Sequence, residues 1–230
     1  MEAVILAAGL GTRLRPYTET KPKPLLAVQG RPILDWTLAA LPTPVERVIV
    51  VVNYLAEQIE AYMRSQPHFS DWQLVRQSVP RGTGDAFRSC QDSLQSSRYL
   101  VLNGDDLYGA ADLAALVCHP AGLLVRPVDD PRRWGIADLR ADGTIERLVE
   151  KPNRDGPALA NLGAYVFPRE VFEIELKPSP RGEYEITDYV TELAQRMAVQ
   201  PVRANFWLPI GDVEAWQRAE AADLSALRRA

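Results

Sequence analysis

Unbroken apolar runs punctuate the first half of the chain. Val4-Ile5-Leu6, Val48-Ile49-Val50-Val51-Val52 and Tyr99-Leu100-Val101-Leu102 carry no polar alternation, as strands covered on both faces do not. Leu74-Val75 reads as a shorter strand of the same kind. Helical stretches lie between them. One spans 33–41, opened by Pro32 and ended by Pro42 and Pro44. Another covers about 56–64, and a third about 85–94, where Phe87, Cys90 and Leu94 recur at helical spacing. Strand alternating with helix predicts an α/β fold: a Rossmann-like, mostly parallel sheet flanked by helices. Such sheets bind ligands beyond the carboxyl ends of their strands. The loop after the first strand and the turn at Gly104-Asp105-Asp106 both fall there.

The second half reads differently. Segments 123–125, 135–139, 145–149 and 162–167 predict strands, and Asp142-Gly143 is a hairpin signal between two of them. A helix is expected over about 186–197 and another from Val213. This predicts a mixed or antiparallel extension that shares the first sheet. No linker, repeat or low-complexity segment divides the chain, so residues 1–230 are expected to form a single domain with halves at 1–120 and 121–230.

Composition adds exclusions. Hydrophobic residues make up 47% and charged residues 24%, as in an ordinary globular chain. The net charge of −4 leaves no general basic coat, which argues against a nucleic-acid partner. Charge is nevertheless uneven: Arg13, Arg15, Lys21 and Lys23 face the single acid Glu19, either a solvated basic loop or a local anion site. Cys90 and Cys118 form no metal or disulfide pattern, and Cys90 is expected to be a buried thiol. His68 and His119, isolated from each other, make neither a zinc site nor a hydrolase triad. No apolar run reaches the roughly 18 residues of a membrane span, and no cleavable leader precedes the first strand. These features predict a cytoplasmic enzyme.

Leu6-Ala7-Ala8-Gly9-Leu10-Gly11-Thr12-Arg13-Leu14, followed by Lys21-Pro22-Lys23-Pro24-Leu25-Leu26, is the most informative segment. Small residues directly after a strand let backbone N–H groups approach phosphate oxygens. Arg13 can donate a fork of hydrogen bonds, and Lys23 adds a point charge held between prolines. The segment lacks both the G-K-[ST] ending of a P-loop and the third glycine of the dinucleotide fingerprint. A triphosphate cradle is the preferred reading. Asp105, at a strand end, suits Mg²⁺, which takes one or two carboxylates plus substrate phosphates; Asn103-Gly104-Asp105 is equally good turn chemistry. Gln77 with Gly82-Thr83-Gly84-Asp85 is either a base-reading site, since an amide both donates and accepts, or a plain loop before a helix. Glu150-Lys151 is either a sugar and phosphate contact or a solvated pair.

Taken in order, these segments resemble the sugar-phosphate nucleotidylyltransferase family, which includes glucose-1-phosphate thymidylyl- and uridylyltransferases, mannose-1-phosphate guanylyltransferases and N-acetylmuramate-1-phosphate uridylyltransferases. The resemblance runs through Gly82-Thr83-Gly84, Gly104-Asp105, Trp134-Gly135, Glu150-Lys151-Pro152, Asn161-x-Gly163-x-Tyr165-x-Phe167 and Gly182-Glu183-Tyr184-Glu185-Ile186-Thr187-Asp188. It implies a transfer joining a nucleoside triphosphate, UTP or dTTP in preference, to a sugar 1-phosphate with release of pyrophosphate. Residues 1–120 would be the nucleotide half and 121–230 the sugar-phosphate half. Leu6, Ala7, Ala8, Gly9, Gly11 and Thr12 would hold the nucleotide, with Gln77, Gly82 and Thr83 at the base. Arg13 and Lys23 would grip its phosphates, and Lys151 the sugar phosphate. Gly135, Glu150 and Asn161 would contact the sugar, and Asp105 would hold Mg²⁺.

One departure stands out. Many relatives read W-x-D-x-G-T-P near the end, with the Asp as second metal ligand. Here the run is Trp207-Leu208-Pro209-Ile210-Gly211-Asp212, with Pro209 in register. Asp212 is either a displaced metal ligand or the cap of the last helix, or Asp105 and phosphates suffice. A cytidylyltransferase for a small phosphate such as choline phosphate, a glycosyltransferase and a non-catalytic nucleotide-sugar sensor are the rival readings. Oligomeric state, including a homo-oligomer, stays open.

Overall fold

A computed structural model describes residues 1–179 and 181–228. In chain order it contains β1 (Glu2–Leu6), β2 (Ala27–Val28), β3 (Arg31–Pro32), α1 (Ile33–Ala40), β4 (Arg47–Val52), α2 (Ala56–Ser65), β5 (Trp72–Arg76) and α3 (Thr83–Arg88). There follow β6 (Arg98–Asn103), β7 (Asp106–Tyr108), α4 (Ala110–Leu116), β8 (Gly122–Val128), β9 (Gly135–Leu139), β10 (Ile145–Glu150) and β11 (Ala158–Pro168). The chain closes with α5 (Ile186–Ala194), β12 (Gln200–Arg203), β13 (Trp207–Pro209) and α6 (Val213–Glu220).

Among the described residues the central sheet has nine strands, in the order β10-β9-β11-β6-β1-β4-β5, with β8 beside β11 and β12 beside β8. The strands β6, β1, β4 and β5 are parallel. From β11 onward the pairing turns antiparallel, apart from the β8–β12 pair. The α/β fold with its mixed extension is as the sequence predicts.

Burial explains the apolar runs. Ala3 and Ile5, Val48, Val50 and Val52, and Leu100 and Leu102 pack on one face with α1, α2 and α4. Val4, Ile49 and Val51, and Tyr99 and Val101 pack on the other with α3 and α5. Each residue of these strands therefore meets a helix layer, and a polar side chain on either face would be stranded in the core. A smaller cluster joins Leu14, Leu26, Ile33, Trp36 and Leu107 to the C-terminal segment through Ile210, Ala219 and Leu224.

Three departures have local causes. The helix predicted over about 85–94 ends at Arg88 and continues as a 3₁₀ turn at Gln91–Ser93. Its apolar face is still buried, through Phe87, Cys90 and Leu94. β12 carries Pro201, which hides a strand, and it pairs on one side only, as edge strands with proline do. β7 and β13 pair with each other over three residues, too few for a periodic signal. The Asp142-Gly143 hairpin is present: Asp142 Oδ1 accepts from the Thr144 N–H at 2.9 Å, and Gly143 has φ +83°. Burial pushes the Cys90 thiol up to about 12, so it is an inert core group.

The start of β1 is tied to its neighbours by a buried carboxylate. Glu2 is 3% exposed and pairs with Arg47 Nη1 at 2.9 Å. It also accepts from the N–H groups of Gln95 and Ser96, each at 2.7 Å. Burial alone would raise its carboxyl, but these donors outweigh burial and hold it below the ordinary 4.5. A depressed carboxyl stabilises the fold above its ordinary value, and the contribution is lost as pH falls through the depressed one. Glu2→Gln is therefore expected to lower the unfolding free energy by about 2–3 kcal/mol at neutral pH. The gap from wild type should shrink in urea melts taken below about pH 4. An undiminished gap in acid would remove the charge from the explanation.

Candidate active site

β1 and β6 run side by side and end together, so the chain leaving each meets the chain leaving the other. The Gly104 N–H donates to the Leu6 carbonyl at 2.9 Å, locking the two exits. Beyond them opens a cleft of about 410 Å³. Leu6, Ala7, Ala8, Gly9, Gly11, Thr12, Arg13 and Lys23 line it from the β1 side. Gln77, Gly82 and Thr83 line it from the β5–α3 loop, and Asp105 from the β6 turn. The sequence placed these residues in three separate segments; the topology brings them to one space.

The loop after β1 leaves its donors unspent. The N–H groups of Ala8, Gly9, Leu10 and Gly11 donate to no backbone acceptor among the described residues. Gly11 has φ +62°, and a Cβ there would lie 2.9 Å from Thr18 Cγ2, so only glycine fits. Thr18 is buried and its hydroxyl donates to the Gly11 carbonyl at 2.8 Å, fixing the turn. Arg13 is exposed, in the 3₁₀ turn Thr12–Leu14 that Leu14 anchors in the core. Arg15 and Lys21 are exposed and stand outside the cleft lining.

Lys23 is 7% exposed, an unusual burial for an ammonium. It is compensated by Asp105: Nζ donates to Oδ2 at 2.6 Å, while the Asp105 side chain keeps 41% of its surface exposed. A residue expected to grip phosphate and one expected to hold a cation are thus bonded directly to each other. Asp106, next in the chain, is buried; burial first, then the Asp105 carboxylate, pushes its carboxyl well above the ordinary range. Trp207 Nε1 donates to it at 3.3 Å. Pro209 stands opposite Asp106 in the β7–β13 ladder.

Asp212 caps α6, its Oδ1 accepting from the Ala215 N–H at 2.8 Å. Gly211 lines the cleft, and Asp212 does not. The helix-cap alternative is therefore realised in the geometry.

On the β5–α3 side of the cleft, Gln77 is 4% exposed. Its Nε2 donates to the Gly82 carbonyl at 3.1 Å and to Asp85 Oδ2 at 2.8 Å. Gly82 has φ +104°, and a Cβ there would lie 2.9 Å from the Tyr184 nitrogen. The Thr83 hydroxyl accepts from the Ile186 N–H at 3.1 Å, so this side chain also fastens the loop to the start of α5.

Gly135, Glu150 and Asn161 form a second group outside that lining. Gly135 pairs with Glu150 across the β9–β10 ladder. A Cβ on Gly135 would lie 3.0 Å from Glu150 Oε2 and 3.8 Å from Asn161 Nδ2. Asn161 is oriented at both ends of its amide: Nδ2 donates to the Tyr165 hydroxyl at 2.7 Å, and Oδ1 accepts from the Gly163 N–H at 3.1 Å. Asn103, which lines the cleft, packs against Gly163, so the group borders the cleft. Lys151 has φ +43°, a left-handed backbone rare for a side chain of its kind, and its N–H donates to the Trp134 carbonyl at 3.0 Å. Its Nζ lies 3.9 Å from Glu150 Oε1.

Sequence reasoning gave no site role to Asn103, Glu183 and Glu185, which also line the cleft. Asn103 was legible only as turn chemistry. The two glutamates stand in a segment quoted for the resemblance, with nothing in their spacing to say which way they face.

The profile of the nucleotidyl transferase family matches residues 2–226. The bifunctional protein GlmU of Methanocaldococcus jannaschii is 33% identical over 224 residues, which cover 96% of this chain and 53% of that protein. The chain thus spans about half the length of these bifunctional relatives. The UTP–glucose-1-phosphate uridylyltransferase AglF of Haloferax volcanii is 33% identical over 233 residues, covering 96% of this chain and 95% of that one. A solved UDP-glucose pyrophosphorylase complexed with UDP-glucose has the same fold, with a TM-score of 0.82 at 23% identity, over 96% of this chain and 97% of the other. The chain belongs to the nucleotidyl transferase family.

Proposed function

We propose that this protein condenses a sugar 1-phosphate with a nucleoside triphosphate, UTP or dTTP, releasing pyrophosphate and a nucleotide-sugar. The observation that carries this is the single cleft at the ends of β1 and β6, where free loop amides, Arg13, Lys23 and Asp105 converge beside Gln77. AglF, alike over nearly its whole length, is named for such a transfer.

A phosphate monoester is already anionic near neutral pH, its second pKa being about 6. An oxygen of the sugar phosphate attacks the α-phosphorus in line, and the bond to the pyrophosphate oxygen breaks. No general base is called for. The protein's task is to bring two anions together and to balance charge on the α-phosphate. The loop amides and Arg13 hold the triphosphate from the β1 side, and Lys23 adds charge from below. Gln77 and Gly82 receive the base, with Thr83 bracing that loop. Gly135, Glu150 and Asn161 receive the sugar, and Lys151 its phosphate. The donor set fits Mg²⁺: Asp105 offers a half-exposed carboxylate beside the phosphate loop. No group of three or more candidate ligand side chains gathers among the described residues. A magnesium ion, which keeps waters and binds one or two carboxylates plus phosphates, needs no more; when bound there by Asp105 it would neutralise phosphate charge. Both substrates are charged esters that do not cross membranes unaided, so we place the reaction in the cytoplasm. No described helix is long and apolar enough to cross a membrane.

The left-handed backbone of Lys151 gives this reading a separate test. A side chain held in that region costs roughly 1 kcal/mol that glycine does not. Lys151→Gly is expected to match or slightly exceed wild type in thermal stability while turnover falls about a hundredfold. Parallel loss of stability and turnover would make Lys151 a structural residue only.

The decisive experiment is a matrix of nucleoside triphosphates against sugar 1-phosphates, scored by pyrophosphate release with and without Mg²⁺. Release with UTP or dTTP and one sugar phosphate is expected. Nucleotide binding without release would make the protein a sensor, and release only with choline phosphate and CTP would make it a cytidylyltransferase.

A further inference from the structure

Gln77 is the one amide side chain among the described cleft residues placed at the proposed base end, and its orientation is not free. Its two neighbours there, the Gly82 carbonyl at 3.1 Å and Asp85 Oδ2 at 2.8 Å, can only accept. Its NH₂ must face them, and both amide protons are used. Oε1 receives no hydrogen bond from the described residues and is not sealed from solvent, so on a residue that lines the cleft it is the amide atom left for a ligand. Gln77 therefore presents an acceptor and no donor. Its backbone is fixed as well: its N–H donates to the Val52 carbonyl at 2.9 Å, and its carbonyl accepts from Asn53 Nδ2 at 2.5 Å.

Asp85 supplies the shorter and charged of the two contacts that make the orientation one-sided. It stands in the first turn of α3, with its side chain 16% exposed. Its second oxygen, Oδ1, accepts from Arg81 Nη2 at 2.7 Å, which leaves Oδ2 aimed at Gln77. Arg81 lies 5.8 Å from the centre of the Tyr184 ring, and its carbonyl accepts from the Tyr184 N–H at 2.8 Å. Without the carboxylate, only the Gly82 carbonyl at 3.1 Å would hold the amide, and turning the NH₂ toward the cleft would cost one neutral hydrogen bond in place of a charged and a neutral one.

We infer that Asp85 is a positioning residue for base choice: by fixing Gln77 with its oxygen outward, it selects uracil and thymine over cytosine. Uracil and thymine carry N–H at ring position 3, which this oxygen accepts. Cytosine carries a lone pair at that nitrogen, which the oxygen repels. The inference rests on the nucleotidyl-transfer reading above, but its test needs no sugar.

Dissociation constants for UTP, dTTP and CTP are measured by titration with Mg²⁺ on wild type and Asp85→Leu. Wild type is expected to bind UTP and dTTP about a hundredfold more tightly than CTP, the value of one hydrogen bond plus one avoided repulsion. Asp85→Leu, similar in size and without an acceptor, is expected to narrow the UTP-to-CTP ratio at least about tenfold. Removing a negative charge strengthens binding of every triphosphate alike, and a loosened fold weakens every one alike, so the ratio isolates the amide. An unchanged ratio in Asp85→Leu overturns the inference. Should that variant not fold, Asp85→Asn carries the test. Its single carbonyl oxygen is shared between Arg81 and Gln77, so the ratio narrows at least about threefold, and no narrowing overturns the inference. A wild-type preference for CTP or a purine overturns it while leaving nucleotidyl transfer standing. Selective UTP binding without pyrophosphate release in the matrix would sink the transfer reading and leave the role of Asp85 intact.

Discussion

Arg13→Ala is expected to lower kcat by about two to three orders of magnitude with the fold intact. The guanidinium stands on the rim of the cleft, with Nη1 3.6 Å from where a Cβ on Gly211 would lie. Among the described residues it has neither an ion-pair partner nor a side-chain hydrogen bond, so its charge is available to a ligand. Its removal should leave little mark on stability, because the buried Leu14, not Arg13, anchors the turn. Charge that builds on the α-phosphate during transfer is what a fork of N–H donors stabilises, so the loss should fall on kcat more than on nucleotide binding. Arg13→Lys restores a point charge without the fork and should recover about a tenth of wild-type turnover or less. Pyrophosphate release under saturating substrates reads the effect, with a thermal melt alongside. Near-wild-type turnover in Arg13→Ala would remove this residue from the mechanism.

The parts of the fold that were legible in the sequence are those where burial is uniform. Val48 to Val52 meet helices on both faces, and nothing but an unbroken apolar run satisfies that position. That the loop from Leu6 to Lys23 lines the cleft was legible because it leaves a buried parallel strand at its carboxyl end. The cap role of Asp212 could be weighed beforehand as well, since an Asp before a helix has a stated use. What stayed hidden depends on contacts distant in sequence. The pairing of Lys23 with Asp105 joins residues 82 apart, and neither side chain announces the other. The orientation of Gln77 is set by a carbonyl and a carboxylate that spacing alone does not aim. Thr83 was expected at the nucleotide, yet its hydroxyl is also spent on a backbone N–H at the start of α5, 103 residues on. β12 was hidden by Pro201, and the helix over about 85–94 was overextended because a helical turn and a 3₁₀ turn in series bury the same face.

Asp105→Asn should abolish most Mg²⁺-stimulated turnover, by about a hundredfold or more, and Asp212→Asn should not. The two carboxylates differ in what already holds them. Asp105 faces the cleft and is balanced by the buried Lys23 ammonium. The Asn variant takes away a charge from the proposed cation site and leaves Lys23 with a weaker partner. A stability loss of about 1–2 kcal/mol should follow, the lower end being favoured because solvent already reaches Asp105. Asp212 spends Oδ1 on the Ala215 N–H at the start of α6. Asparagine caps a helix as well as aspartate does, so Asp212→Asn should stay within about 0.5 kcal/mol of wild type. Asp212→Ala, which deletes the cap, should lose about 1 kcal/mol. Pyrophosphate release across a Mg²⁺ titration, paired with urea unfolding, separates the two kinds of loss. If Asp212→Asn kept full stability and yet lost Mg²⁺-stimulated turnover as Asp105→Asn does, its carboxylate charge would belong to the cation site. The loop from Pro209 would then have to carry Asp212 inward, off the helix cap, when substrates bind.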